Sequence, residues 1–143
     1  MENAKTIESG GTLSDLLEMP AEVKDLVHGI AAAALEAGRA SEAEKVLEGL
    51  VAIHPRDPAN WALLARAHLR TGKELAARFA AEVGRQLAPD EPSVRLAHAE
   101  VLLGAADGRT EALGELRGLA GMTGPVGERA AALLAGLGER VSA

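Results

Sequence analysis

Residues 36–58 read EAGRASEAEKVLEGLVAIHPRDP, and residues 70–92 read RTGKELAARFAAEVGRQLAPDEP. The two stretches share few identities, yet their small residues and prolines coincide when one stretch is shifted by 34 positions. The coinciding pairs are Gly38 with Gly72, Ala43 with Ala77, and Pro55 with Pro89. Fixed small residues between variable ones are typical of a structural repeat.

The same spacing continues through the chain. It aligns Ala31 with Ala65 and Ala99, and it aligns Leu35 with Leu69 and Leu103. A period of 34 residues, read as helix, turn and helix, is the signature of the tetratricopeptide repeat. The sequence therefore predicts an all-α solenoid in a single domain, residues 12–143, preceded by a disordered N-terminus, residues 1–11. Its predicted parts are an N-terminal helix at 12–20, repeats at 24–57, 58–91 and 92–125, and a capping helix at 126–140.

The recurring small residues have a structural role. A side chain of one carbon lets two helix axes approach closely, whereas a larger one at the same crossing would overpack it. We expect such crossings at six alanines: Ala31, Ala65 and Ala99 in the first helices, and Ala43, Ala77 and Ala112 in the second. Gly38 and Gly72 are predicted to end first helices in the left-handed conformation that glycine adopts without steric cost.

Helix starts are also predicted from the sequence. Ser41, with Glu44 three residues later, matches a capping box, and Asp57 before Pro58 matches an N-cap followed by a proline at the first helical position. Pro92 is expected to open the next helix. The third repeat needs one extra residue to keep the register, so we expect a longer turn there with Thr110 as N-cap.

The composition of this 143-residue chain argues against several classes of function. Without cysteine it has no thiolate metal site or cysteine nucleophile. A formal charge of -6 and no basic cluster argue against nucleic-acid binding, which depends on grouped Lys and Arg. No uncharged apolar run reaches the roughly 18–20 residues that span a bilayer, and no signal-peptide core is present. We expect a cytoplasmic protein without membrane insertion.

The four histidines do not form a recognisable reactive site. His68 and His98 fall at packing positions of first helices, and His54 precedes a proline. His28 lies on the inner face of the first repeat, but no carboxylate or second histidine stands three or four residues after it. No serine lies in a nucleophile elbow, and no phosphate-binding loop precedes a helix. We therefore expect no enzyme, no catalytic residue, no metal site and no cofactor.

A binding groove is the alternative, because the first helices of stacked repeats line a concave surface that suits an extended peptide. The predicted client-binding residues are His28, Ala32, Leu35, Ala62, Arg66, Leu69, Arg70, Leu96, Glu100 and Leu103. A merely solvated helix face would carry mostly charged residues, and the recurring leucines Leu35, Leu69 and Leu103 argue modestly against that interpretation. Arg66 and Arg70 either bind a carboxylate or pair with acidic neighbours.

Four stretches resemble a more specific family. GGTLSDLLEM at 10–19, AGRASEAEKVLEGLVAIHPRD at 37–57, WALLARAHLRTGK at 61–73 and AHAEVLL at 97–103 resemble the class II chaperones of bacterial type III secretion. The likeness extends from about Gly10 to about Gly121. It implies an all-α protein whose groove holds an extended segment of a hydrophobic translocator and keeps that client soluble and competent for export.

The resemblance also implies a homodimer through the N-terminal helix, with Leu13, Leu16, Leu17 and Met19 at the interface. The alternative is that this leucine stripe folds back on the first repeat of the same chain. Family grooves commonly carry aromatic residues, and this chain has His28, Ala32, Leu35 and Ala40 instead, which predicts shallower pockets. The residues by which other tetratricopeptide proteins clamp a chaperone's C-terminal carboxylate are missing. A generic adaptor or assembly scaffold built from the same repeats is the competing interpretation.

Overall fold

The computed structural model of the protein describes residues 19–139. Within this range seven α-helices follow one another and there is no strand: α1 Ala21–Glu36, α2 Ala40–Ile53, α3 Pro58–Arg70, α4 Glu74–Leu87, α5 Pro92–Leu103, α6 Arg109–Ala120 and α7 Pro125–Gly136. The predicted all-α fold is confirmed. The predicted disordered segment 1–11 and all but the last two residues of the predicted helix 12–20 lie outside the described residues. None of the described helices is both long enough and apolar enough to cross a membrane.

The helices pack as three antiparallel pairs with α7 added at the end. Each second helix, α2, α4 or α6, contacts the first helix of its own pair and the first helix that follows. The first helices also contact one another, α1 with α3, α3 with α5 and α5 with α7, whereas the described second helices make no comparable contact among themselves. Stacked helix pairs of this kind form a curved solenoid, and the first helices lie on its concave side. We call the surface that they form the inner surface.

The predicted helix crossings are confirmed. Ala31, Ala65 and Ala99 in the first helices are fully buried, as are the three alanines predicted for the second helices, Ala43, Ala77 and Ala112. One apolar cluster extends from α1 to α5, and a second joins α5, α6 and α7. Because α5 contributes to both clusters, the core continues along the whole stack.

The turns within the first two repeats share one geometry. Gly38 and Gly72 have φ of 84° and 79°, as predicted. Around Gly38, the Arg39 amide donates to the Ala34 carbonyl at 2.8 Å, and around Gly72 the Lys73 amide donates to the His68 carbonyl at the same distance. These bonds define a Schellman motif, which reverses the chain in three residues. The third turn, residues 104–108, is longer, as expected.

Two of the predicted helix caps are wrong and one is confirmed. The Asp57 side chain accepts from the Ala59 amide at 3.0 Å, as an N-cap should. Helix α2 begins one residue before Ser41 and has no side-chain cap, because Glu44 turns inward to other partners. Helix α6 begins at Arg109 after Gly108, so Thr110 lies inside the helix and caps nothing.

The two ends of the stack differ in polarity. On α7 the exposed residues are small or charged, including Glu128, Ala132 and Ala135, as expected of a capping helix. On α1 a stripe of large apolar side chains is exposed, consisting of Val23, Leu26 and Ile30. We call these three residues the α1 stripe. Within residues 19–139, a polar cap is thus found only at the α7 end of the stack.

Enlarging a crossing alanine should destabilise the stack. We expect Ala65→Leu to lower the free energy of unfolding by about 1–3 kcal/mol, because three added carbons overpack a site with no exposed surface. Urea unfolding followed by circular dichroism measures the change. The same replacement at exposed Ala33 is the control and should change stability by less than about 0.5 kcal/mol. Equal effects at both alanines would contradict the close-packing explanation.

Candidate protein-binding surface

Polar contacts join each first helix to the next along the inner surface. His28 Nδ1 on α1 donates to Asn60 Oδ1 on α3 at 2.6 Å. Arg66 Nε on α3 lies 2.8 Å from Glu100 Oε2 on α5, and an Arg129 terminal nitrogen on α7 lies 3.4 Å from Glu100 Oε1. We call these five residues the polar ladder. It links α1 to α3 by a hydrogen bond, and α3 to α5 and α5 to α7 by ion pairs.

Asn60 is held from both sides, which explains the position of His28. The Asn60 side chain is buried, and its amide nitrogen donates to Asp57 Oδ2 at 3.3 Å while its oxygen accepts from His28. Asp57 also caps α3, so the cap, the amide and the imidazole form one chain of hydrogen bonds. His28 thus has a structural partner and remains only half-buried.

Three predicted groove residues lie in the core. Leu35, Ala62 and Leu96 are 2, 1 and 3% exposed, and each belongs to an apolar cluster. Their side chains cannot be reached by a partner, because helix packing already covers them. They shape the inner surface from beneath, which corrects the expectation that they line it.

The other predicted groove residues keep some accessible surface. Ala32, Leu69 and Leu103 are half-buried and pack against the core with part of each side chain. Leu69 also borders a small cavity of about 20 Å³ formed with Val101 and residues of α4. Arg70 is exposed at the end of α3. The accessible inner surface is thus a mixture of small apolar patches and charges.

A second polar network ties the first pair of helices to the second. Glu44 on α2 is 5% exposed and receives hydrogen bonds from His68 Nδ1 at 2.5 Å, Thr71 Oγ1 at 2.9 Å and Lys73 Nζ at 3.0 Å. Burial by itself would raise the pKa of the Glu44 carboxyl, but the three hydrogen bonds together hold its pKa below the ordinary value. His68 has the structural role that the sequence predicted.

The same network contains a set of metal-binding atom types. Ligand atoms of Glu44, Glu48 and His68 all lie within 4.8 Å of one another. Glu44, however, already accepts from the Lys73 ammonium and from the Thr71 hydroxyl. A metal ion would have to displace that ammonium group. We interpret these residues as an internal ion-pair network that fixes the packing of α2 against α3.

One cleft lies away from the inner surface, between α4, α5 and α6. Its volume is about 350 Å³, and charged groups of both signs line it, among them Arg85, Arg95, Asp90 and Glu111. Arg95 is paired with Glu115 at 3.1 Å across α5 and α6. A cleft with this lining is unsuited to an apolar segment.

Two members of the polar ladder, Asn60 and Arg129, were not predicted from the sequence. Asn60 stands three residues after Asp57, a spacing that suits an additional side-chain bond at a helix start, and that signal was available. Arg129 lies 29 positions after Glu100. The longer third turn breaks the 34-residue register before α7, so no spacing rule connects these two residues.

The predicted dimer residues are described only in part. Met19 is half-buried just before α1. Leu13, Leu16 and Leu17 lie outside the described residues. The α1 stripe follows them directly in the chain and leaves apolar surface uncovered in the described part of the molecule.

The fold is an all-α tetratricopeptide-repeat solenoid, as the helix pairs and their turns indicate. The sequence model of the family described as "Tetratricopeptide repeat" matches residues 34–101. Among solved structures, the type III secretion translocator chaperone SycD of Yersinia enterocolitica is similar, with a TM-score of 0.62 and 21% identity over 91% of this chain and 93% of that one. The likeness confirms, at the level of fold, the resemblance inferred from the sequence. No curated protein sequence matches the chain.

The buried Glu44 carboxylate should make stability depend on pH. We expect Glu44→Gln to lower the free energy of unfolding by about 2–4 kcal/mol at pH 7, because three donors lose a charged acceptor. The folded-state pKa of Glu44 lies below its ordinary 4.5. Its contribution is therefore complete above pH 4.5 and is lost as the pH falls through the folded-state pKa.

Urea unfolding of the parent protein and of Glu44→Gln at pH 7 and at pH 3 measures this dependence. The difference in the free energy of unfolding between the two proteins should be smaller at pH 3. Glu48→Gln, on the exposed side of the same helix, is the control and should have little effect at either pH. A Glu44→Gln difference of the same size at both pH values would contradict the proposed role of the carboxylate.

Proposed function

We propose that the protein is a cytoplasmic, non-enzymatic chaperone that binds hydrophobic type III secretion translocators on its inner surface. The observation that carries the proposal is the fold likeness to a translocator chaperone, which spans 91% of this chain and 93% of the other. The repeat match supports the coarser part, a role in binding other proteins. The identity of the client as a translocator and the location of the protein in the cytoplasm are parts of the proposal.

The inner surface offers a physical basis for holding an extended segment. Leu69 and Leu103 provide small apolar patches at corresponding places in α3 and α5, and Ala32, three residues before the corresponding Leu35, provides another in α1. An extended chain presents alternate side chains to one face, so it can anchor apolar residues while its backbone passes over the polar ladder. Shallow patches of this kind favour Leu, Val or Ala anchors over large rings.

Such a chaperone acts by binding its client and covering part of the client's apolar surface. A protein built to enter membranes exposes apolar surface that associates with other copies in water. A partner that covers part of that surface stabilises the unassembled form by mass action and needs no reactive group. The half-buried apolar patches on the inner surface support the proposal of such a non-enzymatic role.

A general adaptor is the second candidate. The repeat match does not distinguish adaptors from chaperones, and the polar ladder would equally suit a more polar peptide. Co-expression with the translocators of a type III system separates the two candidates. A chaperone should co-purify with a translocator and raise its soluble fraction, and failure of both would favour the adaptor.

We also propose that the protein forms a homodimer through its N-terminal segment. In the α1 stripe, Leu26 is 63% exposed and Ile30 is 55% exposed, at the end of the described stack opposite α7. Leu13, Leu16, Leu17 and Met19 precede this stripe in the chain. Burying two such stripes together would cover apolar surface that the described helices leave exposed.

Charge on the inner surface should weaken client binding. We expect Leu69→Glu to lower the amount of co-purified translocator at least about tenfold, because a carboxylate replaces an apolar anchor at a half-buried site. Leu75→Glu is the matched control, since Leu75 is 81% exposed on α4 and α4 is a second helix. Thermal unfolding establishes that both variants are folded. Equal loss of client from both, or from neither, would contradict an inner binding site.

Charge in the N-terminal segment should separate the dimer. We expect the full-length Leu13→Glu, Leu16→Glu double variant to sediment with half the mass of the parent, because two carboxylates in each copy would be buried without partners. The Leu75→Glu variant serves again as the control and should keep the parent mass. A parent that sediments as a monomer, or a double variant with unchanged mass, would exclude this interface.

A further inference from the structure

A small cavity lies at the junction between the second and third repeats. Its volume is about 20 Å³, and it is lined by Leu69 of α3, Glu74 and Arg78 of α4, and Val101 and Gly104 at the end of α5. Leu69 and Val101 supply its apolar walls, whereas the two charged residues are exposed. Because Leu69 also belongs to the inner surface, the cavity adjoins the face that is proposed to hold the client.

The 34-residue register explains why this cavity exists. Gly104 aligns with Glu36 in the first repeat and with Arg70 in the second, so the third repeat has no side chain at this position. The backbone does not require glycine there, because φ of -84° and ψ of -7° are accessible to every residue. A Cβ atom would meet nothing closer than the Val101 carbonyl oxygen at 3.6 Å. Glycine at this position therefore leaves space without relieving strain.

The corresponding junction between the first and second repeats is filled. Leu35 aligns with Leu69 but is only 2% exposed. Glu44 aligns with Arg78, and it turns inward and accepts three hydrogen bonds, whereas Arg78 is exposed. The two junctions thus share one plan, and the second has open space where the first contains a buried polar network.

We propose that this cavity receives a short aliphatic side chain of the client, and that Gly104 determines this specificity. The inference rests on the proposed function, since it names the residue type that the same surface would anchor. A cavity of about 10–15 Å³ holds one water molecule, so about 20 Å³ admits the methyl groups of Ala or Val and excludes an aromatic ring.

An aliphatic group suits this cavity better than water or an ion does. A water molecule needs about two to four polar partners, and the side chains of Leu69 and Val101 offer none. The Val101 carbonyl already accepts from the Gly104 amide at 3.1 Å. Glu74 and Arg78 have opposite charges, so together they select neither a cation nor an anion.

The test uses the full chain, capped ten-residue peptides and a co-expressed translocator. The peptides consist of Leu, Ser and Thr and carry one variable residue, Gly, Ala, Val, Leu or Phe, at each position in turn. Fluorescence anisotropy measures their affinities. Gly104→Leu fills the cavity and Val101→Ala enlarges it. Gly121→Leu is the matched control, because Gly121 ends α6 with φ of -79° and ψ of -7°, and a Cβ atom there meets nothing within 4 Å.

We expect the best Val peptide to bind the parent about tenfold more tightly than its Gly and Phe counterparts, because methyl groups are buried and a ring cannot enter. Gly104→Leu should remove this preference and lower the amount of co-purified translocator about threefold. Val101→Ala should move the preference from Val to Leu. Gly121→Leu should match the parent in both assays, and thermal unfolding establishes which variants are folded.

A preference for Val that persists in both cavity variants, or a parent that binds Gly, Val and Phe peptides equally, would overturn this inference and leave the proposed function standing. If Gly104→Leu does not fold, the shift expected of Val101→Ala decides the matter.

The translocator assay decides if no peptide binds. A lower yield of translocator from Gly104→Leu than from Gly121→Leu would then support the inference, and equal yields would overturn it. A parent that binds no peptide and co-purifies with no translocator would overturn both proposals.

Discussion

Close contact between helices at fully buried alanines determines how the helix pairs of this protein stack. Ala31, Ala65 and Ala99 have no exposed surface, and the alanines at the start of the second helices are buried to the same degree. A methyl group at these positions allows each helix pair to approach tightly, and the Schellman turns after α1 and α3 set the reversal between them. Repetition of this unit brings the first helices together on one side.

The 34-residue spacing allowed the fold to be predicted because each recurring residue has a local reason to be there. Gly38 and Gly72 adopt positive φ, and Asp57 caps α3 through its own side chain. Such features depend on neighbours a few residues away. These features can therefore be predicted from the sequence pattern alone, and the helix pairs and their crossings were predicted from the same pattern.

Side-chain contacts between distant parts of the chain replaced the local contacts that the sequence pattern predicted. They explain most of the features that the sequence did not predict. Glu44 has the spacing of a capping box with Ser41. In the structure it instead accepts three hydrogen bonds from α3 and the turn that follows α3, and a capping box at the surface would give it fewer hydrogen bonds. Arg129 meets Glu100 across two helices after the register has shifted. For the candidate surface, the repeat predicted that Arg66 and Glu100 lie on one side. It did not reveal that Leu35, Ala62 and Leu96 are covered.

The proposed function depends on surface chemistry in which no described group needs to react. Half-buried Leu69 and Leu103 offer modest apolar contact, the polar ladder fixes the spacing of the first helices, and Arg70 adds a charge at one edge. The polar α7 end and the α1 stripe make the two ends of the described stack chemically different, which is the basis for proposing client binding along the stack and self-association at the α1 end.

Hydroxyl-radical footprinting of the protein alone and in complex with a co-purified translocator shows whether the client covers the inner surface, because it reports exposure side chain by side chain. If the client binds the inner surface, labelling of His28, Leu69 and Leu103 falls in the complex, while Leu75 and Phe79, exposed on α4, are labelled as in the free protein. Protection of Leu75 and Phe79 with unchanged labelling of the inner residues would contradict it.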